Sequence, residues 1–126
     1  MALCRLSLRS EKSFGVGDLG DLHMLVDWAR KTHQRIIQVL PMNDTTMTHT
    51  WVDSYPYSAI SIYALHPMYV DLSALGTLKD PERAAFYAGK QKELNAKDTV
   101  DYEEVLKYKL GYCQEYLAGE GKAVLD

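Results

Sequence analysis

Cysteine is scarce in this chain, and its scarcity removes two kinds of stabilising site. The 126 residues include two cysteines, Cys4 and Cys113, which lie far apart and belong to no CxxC pair. The cysteine pattern therefore gives no support to a disulfide framework or to a zinc site. Because free cysteine is usually buried, we expect two reduced, buried thiols, and with them a cytoplasmic location.

Ligand-type histidine spacing, excess positive charge and long apolar runs are missing too. His23, His33, His49 and His66 show no HxxxH or similar spacing, so we expect no metal and no other cofactor. A net charge of −3 with scattered lysine and arginine argues against a nucleic-acid partner. No stretch approaches the roughly 18 consecutive apolar residues of a membrane span, so we expect no membrane partner. No serine lies in a GxSxG elbow, which disfavours a serine hydrolase.

Phenylalanine is rare, and tyrosine takes its place. Two phenylalanines stand against nine tyrosines in a chain that is 47% hydrophobic and 25% charged. This balance is typical of one globular domain. Tyrosine offers a flat apolar face and a hydroxyl, which suit a sugar, but the same properties suit half-exposed packing positions.

The first forty residues predict a strand, a helix and a second strand. Residues 3–8 are compatible with a strand, and Asp18 and Asp21 suit the start of a helix near residue 18. The helix should bury a stripe of apolar side chains, namely Leu19, Leu22, Leu25, Val26 and Ala29, with Trp28 beside it. The apolar run at 36–40, closed by Pro41, predicts a strand buried on both faces. Together these elements form a βαβ unit.

The glycines at 15, 17 and 20 match GxGxxG, a pattern of dinucleotide-binding loops. That fingerprint places the glycines directly after a strand and leaves the helix N-terminus open to a pyrophosphate. Here a polar segment intervenes at residues 9–13, and Asp18 puts a carboxylate inside the loop. We therefore expect these glycines to shape a turn.

A polar and aromatic rim follows the second predicted strand. Asn43 and Asp44 come first, and Trp51, Asp53 and the Tyr55–Pro56–Tyr57 corner come next. Proline stiffens the corner and would hold Tyr57 in one orientation. Fixed aromatic rings beside carboxylates and amides are typical of sugar sites, although a structural loop fits the same composition.

The two aspartates of this rim also invite a catalytic interpretation. Glycoside cleavage uses two carboxylates about 5 to 9 Å apart, but positions in a loop do not fix the distance between Asp44 and Asp53. Aspartates that are solvated or bind hydroxyls are more common. We therefore predict no catalytic residue in this chain.

Beyond the rim, two extended segments precede a helical tail. Residues 58–63 and 67–72 favour short strands or extended connections. Asp80 and Pro81 open a helix that reaches at least Ala88, and residues 99–104 predict the start of another. The stripe of this last helix would be Leu106, Leu110, Cys113 and Leu117, with Gly119 and Gly121 ending it. The composition changes at about residue 76, which divides the chain into residues 1–76 and a helical segment, 77–126.

Several motifs resemble the catalytic barrel of the 4-alpha-glucanotransferases, glycoside hydrolase family 77. They are Ser7–Glu11, Gly15–Leu22, Gln38–Thr45, Asp53–Ser61 and Val100–Tyr102. The Asn-Asp-Thr after the strand and the Tyr-Pro-Tyr-Ser form are most similar to the branch that includes the plant cytosolic disproportionating enzyme. The likeness covers nearly the whole chain.

The resemblance implies an α/β fold, a partial (β/α)8 TIM barrel. A barrel needs roughly 250 residues, so this chain would hold the first two or three strands and part of a helical insertion, as one truncated domain. The family's two catalytic carboxylates belong to later strands. We therefore expect a fragment that is inactive alone, with open strand edges that favour a homo-oligomer.

The resemblance also implies a share of the donor-sugar site for an α-1,4-glucan or maltooligosaccharide. Tyr57 would be the stacking platform, with Asp53, Ser54, Asn43 and Asp44 near glucose hydroxyls. Many relatives read Asp-Ser-Pro-Tyr, whereas Tyr55 intervenes here, which affects the placement of Asp53 and Ser54 more than that of Tyr57. The alternative is a stand-alone carbohydrate-binding or assembly module without catalysis.

Overall fold

The computed structural model describes residues 2–3 and 8–121, with side chains for residues 8–119. Strand β1 (Ala2–Leu3) pairs in parallel with β2 (Gln38–Val39), and helix α1 (Leu19–Lys31) connects them. The predicted βαβ unit is therefore present. Residues 4–7 of the predicted first strand, and with them Cys4, lie outside the described residues, whereas Cys113 is a free, half-buried thiol.

The second strand departs from its prediction. In the part of the chain that the structure describes, pairing is limited to Gln38 and Val39, and Ile36 is 79% exposed, so the prediction of a strand buried on both faces is wrong. Within the described part of the chain, β1 is the single strand beside β2. Gln38 is exposed and Val39 half-buried, because burial of a strand on both faces needs a layer packed on each face.

Helix α1 begins where its acidic residues predict. The Asp18 carboxylate accepts from the backbone N–H groups of Gly20 and Asp21, and the Asp21 carboxylate accepts from the Asp18 N–H. This reciprocal capping box satisfies N–H groups that the first helical turn leaves unpaired. The buried stripe is narrower than predicted: Leu25 and Ala29 are buried, whereas Val26 and Trp28 are about half exposed.

Helices dominate the second half of the chain. Helix α2 (Leu72–Leu75) is short, and α3 (Pro81–Asn95) starts at the predicted Asp80 cap with proline at its first position. Helix α4 (Tyr102–Tyr116) runs into a π-helical turn, Leu117–Gly121. Gly119 and Gly121 therefore lie within that turn and do not end the α-helix.

The buried face of α4 differs from the predicted stripe. Its buried residues are Tyr102, Val105, Leu106, Lys109 and Tyr112, whereas Leu117 is 46% exposed. The true stripe keeps helical spacing, but a lysine occupies its centre. Charged residues are usually exposed, so the sequence pattern assigned Lys109 to the surface. The predicted stripe therefore ran through neighbouring apolar positions instead.

The segment between the two halves is not extended as predicted. Residues 67–72 form a 3-10 turn, Pro67–Tyr69, and then enter α2, so an extended run at this position is wrong. Proline suits the first position of such a turn, and the side chains of His66 and Asp71 cap the turn and α2 respectively. Residues 58–63 form an irregular connection without a strand.

The glycine loop is a packing element. Gly15 has a φ of +74°, and a Cβ there would lie 2.7 Å from Leu94 Cβ and 2.9 Å from Val105 Cγ2. The Gly15 N–H donates to Asn95 Oδ1 at 2.7 Å. Glycine therefore lets the loop approach α3 and α4 closely, which agrees with the turn predicted for the GxGxxG match.

One hydrophobic core joins the two predicted parts of the chain. It takes Phe14, Val16, Met68 and Leu72 from before residue 76, and Leu78, Tyr87, Leu94, Tyr102, Val105, Leu106 and Tyr112 from after it. The division at residue 76 stays a prediction. No helix within residues 8–121 is long and apolar enough to cross a membrane.

Candidate functional site

The rim after β2 is held against a returning segment of the same chain. The Asp44 N–H donates to Ala64 O at 2.9 Å, and the Ile60 N–H donates to Asp44 O at 2.8 Å. Asn43 forms an antiparallel bridge with Leu65, and its side-chain amide donates to Ile62 O at 2.9 Å. The backbone of the two residues predicted to meet sugar hydroxyls is thereby fixed, and the Asn43 amide is partly used.

Asp53 organises the loop before it. It lies in the 3-10 turn Trp51–Ser54, and its Oδ2 accepts from the backbone N–H groups of Met47, Thr48 and His49 at 3.1, 2.8 and 2.7 Å. Its Oδ1 accepts from the Thr48 hydroxyl at 3.0 Å. Burial raises the pKa of Asp53, but these hydrogen bonds outweigh burial and hold the pKa below its usual value. The carboxylate is therefore ionised and committed to the loop.

Two further contacts close the same loop. Thr45 is buried, and its hydroxyl donates to the backbone carbonyl of Asp53 at 2.5 Å. The Asp44 Oδ1 accepts from the Thr46 N–H at 2.9 Å, which forms an Asx turn. Residues 44–54 therefore form a loop with an internal frame of hydrogen bonds. We call residues 43–57 the rim loop.

The predicted stacking residue faces solvent. Tyr57 is 61% exposed and Tyr55 59%, and their ring centroids lie 5.5 Å apart with the ring planes at 54°. Ser54 is half-buried beside them. In the described part of the chain, the side chains of Ser54 and Tyr57 form no hydrogen bond. The structure therefore leaves both available to a ligand, whereas hydrogen bonds within the protein use both oxygens of Asp53 and part of the side chains of Asn43 and Asp44.

Residues at the start of helix α4 contact the rim loop. The Tyr102 hydroxyl lies 2.8 Å from His66 Nε2, and the Tyr102 ring packs edge-on against Trp51 at 6.0 Å between centroids. The next residue, Glu103, accepts from the Trp51 N–H at 2.9 Å. Burial raises the pKa of Tyr102 to about 12, so its hydroxyl stays protonated at neutral pH.

His66 is a neutral structural imidazole. Its Nδ1 accepts from the Met68 N–H at 3.1 Å, which leaves the ring proton on Nε2, where it is donated to Tyr102. Burial lowers the pKa of His66, and nearby Asp44 and Asp53 offset only part of that effect. Tyr102 belongs to the Val100–Tyr102 motif, but sequence spacing gave no signal that it meets His66, because their contact joins residues far apart in the chain.

Comparisons with known proteins agree on one family. The model of the family described as 4-alpha-glucanotransferase matches residues 4–125. The chain is 42% identical over 125 residues to "4-alpha-glucanotransferase DPE2" of Oryza sativa subsp. japonica, which covers 95% of this chain and 13% of that protein. It is 34% identical over 110 residues to the 4-alpha-glucanotransferase of Chlamydia trachomatis, which covers 87% of this chain and 20% of that protein. The chain therefore spans a fifth or less of the length of these relatives.

Proposed function

The chain belongs to glycoside hydrolase family 77, the 4-alpha-glucanotransferases, and we propose from this membership that it forms part of an enzyme that transfers α-1,4-glucan segments. Donor and acceptor would be maltodextrins or glycogen-like glucans. The relatives carry the name of this activity over lengths several times that of the present chain. The family match is the observation that carries the proposal.

The proposed reaction is a retaining double displacement. A carboxylate attacks the anomeric carbon while a carboxylic acid protonates the departing sugar oxygen, which leaves a covalent glycosyl enzyme. The second group, now a carboxylate, then takes the proton of an acceptor hydroxyl as that oxygen replaces the enzyme carboxylate. We assign both groups to parts of the enzyme outside this chain, which would be inactive alone.

The rim loop would supply part of the donor-sugar site. Tyr57 is the proposed platform, since its exposed ring can stack on the C–H face of a glucose unit. Ser54, Asn43 and Asp44 would meet hydroxyls around it. The Asp53 carboxylate already accepts four hydrogen bonds, so we propose that it serves the sugar chiefly by fixing the loop.

The barrel, the location and the oligomeric state are proposals of the same kind. The parallel pairing of β1 with β2 across α1 supports the start of a (β/α)8 barrel, because such barrels are built from this unit. A cytoplasmic location rests on two cysteines outside any CxxC pair. A homo-oligomer would follow from the exposed Ile36 side chain beside β2.

A graft onto the rice relative tests the proposed function. Replacing the matched segment of that protein by this chain should preserve the release of glucose and longer maltodextrins from maltotriose. Within the graft, Tyr57→Ala should reduce transfer roughly tenfold or more, since losing an aromatic contact costs about 1.5 kcal/mol or more. Tyr63→Ala is the matched control, because Tyr63 is 91% exposed and lies outside the rim loop.

Three outcomes would contradict the proposal. A graft without transfer would remove the functional equivalence, and an unchanged rate for Tyr57→Ala would remove Tyr57 from the site. Glucose release from maltotriose by the 126-residue chain alone would refute its inactivity. Binding of maltoheptaose by the chain, together with an inactive graft, would favour the alternative of a carbohydrate-binding module.

A further inference from the structure

Lys109 is a charged side chain in the centre of the protein. It is fully buried, and its Nζ lies 2.9 Å from Met68 O, 2.8 Å from Val70 O and 3.4 Å from Asp18 Oδ2. Three acceptors match the three donors of an ammonium group. Burying an ammonium costs several kcal/mol, so this arrangement persists only because its partners are well placed.

The two carbonyls belong to one short structural unit. Met68 lies in the 3-10 turn Pro67–Tyr69, and Val70 is the residue that ends it. His66 holds the other end of the turn, because its Nδ1 accepts from the Met68 N–H. Lys109 and His66 therefore hold the same turn from two sides.

His66 carries this restraint to the rim loop. Its backbone N–H donates to Met42 O at 2.9 Å, directly before Asn43 and Asp44. The neighbouring Leu65 bridges Asn43, and Ala64 accepts from the Asp44 N–H. The turn, His66 and the start of the rim loop thus form a continuous hydrogen-bonded path.

Helix α4 holds this path at two points. Tyr102 and Lys109 are seven residues apart, about two helical turns, so they lie on one face of the helix. Tyr102 contacts the imidazole of His66, and Lys109 contacts the backbone carbonyls of Met68 and Val70. A shift of α4 would therefore move His66 together with the loop that it supports.

We propose that Lys109 is a positioning residue that fixes the Pro67–Tyr69 turn and, through His66, the start of the rim loop for glucan binding. The binding half of this statement rests on the proposed function. Lys109 touches no sugar in this scheme, since it is completely buried and acts through the turn. Its partner Asp18 also caps α1, so the same ammonium ties the glycine loop to this path.

A double variant, Asp18→Asn with Lys109→Met, separates positioning from stability. Lys109→Met alone leaves an unpaired buried carboxylate and can fail to fold, whereas replacing both charges of a buried pair is often tolerated. Asparagine is as good a helix cap as aspartate, so α1 keeps its start. Tyr112→Phe is the matched control, because it removes the hydrogen bond that the Tyr112 hydroxyl donates to Gly76 O. Tyr112 lies three residues beyond Lys109 on α4, and its bond does not involve the Pro67–Tyr69 segment.

Amide hydrogen exchange and maltoheptaose titration provide the two readouts on the 126-residue chain. In the double variant we expect the amides of His66 and Met68 to exchange at least tenfold faster relative to the core amide of Leu106, and the dissociation constant for maltoheptaose to rise about fivefold. Tyr112→Phe should leave the relative exchange rates and the dissociation constant unchanged. Equal relative exchange in the double variant and the wild type would overturn the positioning role.

The two proposals fail in different ways. A wild-type chain that shows no fluorescence or calorimetric response to maltoheptaose would contradict sugar binding by the rim loop, while the exchange of His66 and Met68 would still decide whether Lys109 positions that loop. Faster exchange with unchanged sugar affinity would overturn the link from the turn to the glucan. Faster exchange in Tyr112→Phe as well would show a general loss of stability and refute the specific role.

Discussion

At the scale of single residues, His66 makes the stability of the protein depend on pH. Burial lowers its pKa below the ordinary 6.5, so at mildly acidic pH His66 is protonated in the unfolded chain and neutral in the folded protein. The free energy of unfolding should therefore keep its full value above about pH 6.5. It should decrease as the pH drops from 6.5 toward the pKa of His66 in the folded protein. Urea unfolding between pH 5 and 7.5 measures this loss.

The control for this prediction is His66→Gln. Glutamine can accept from the Met68 N–H but does not titrate, so the slope between pH 5 and 6.5 should flatten even if the variant is less stable throughout. An identical slope in the variant and the wild type would place the pH dependence in another group.

Asp53 makes a second prediction at this scale. Its carboxylate accepts four hydrogen bonds from residues 47–49, and asparagine offers one acceptor oxygen in place of two. Asp53→Asn should lower the unfolding midpoint and speed exchange of the Met47, Thr48 and His49 amides. Asp44→Asn is the comparison, since in the described part of the chain its carboxylate accepts one hydrogen bond, from the Thr46 N–H. Equal effects of the two variants would contradict the loop-organising role of Asp53.

At the scale of elements, two glycines should respond to alanine in opposite ways. Gly15→Ala forces a left-handed residue, at about 1 to 2 kcal/mol, and drives a Cβ into Leu94 and Val105. Together with overpacking, the loss should reach about 2 kcal/mol or more. Gly89→Ala, in the middle of α3 with open space around it, should instead stabilise by about 0.5 to 1 kcal/mol. Chemical denaturation of both variants tests this contrast, which a loss of stability in Gly89→Ala would contradict.

The elements also show which features of the fold the sequence could predict. The starts of α1 and α3 were predicted correctly because Asp18, Asp21, Asp80 and Pro81 act locally, through capping bonds within one turn. The buried face of α4 was predicted wrongly because Lys109 is buried by partners some 40 and 90 positions away in the chain. Local chemistry is visible in a sequence, whereas a satisfied buried charge depends on tertiary contacts.

In the candidate site, too, local features could be predicted from the sequence and tertiary contacts could not. The residue types of the rim, with the stiff Tyr55–Pro56–Tyr57 corner, pointed to a sugar loop, and the structure leaves Tyr57 exposed. The use of Asp53 within the loop could not be predicted, because three backbone N–H groups converge on it only after the chain has turned at His49, where φ is +58°. The support from His66 and Tyr102 was hidden for the same reason.

At the scale of the whole molecule, the exposed apolar surface predicts self-association. Ile36 is 79% exposed beside β2, which has a single neighbouring strand in the described residues. Apolar strand edges invite pairing with another copy, and a lysine at such an edge opposes it. We therefore expect a dimer or larger assembly, and Ile36→Lys should shift it toward the monomer.

Val52→Lys is the matched control for that experiment, because Val52 is equally exposed, at 77%, but lies in the Trp51–Ser54 turn away from any strand edge. Light scattering at several concentrations measures all three proteins. If Ile36→Lys and Val52→Lys dissociate the assembly equally, general hydrophobicity drives it and the strand edge does not. A wild-type chain that is monomeric at every concentration would contradict self-association altogether.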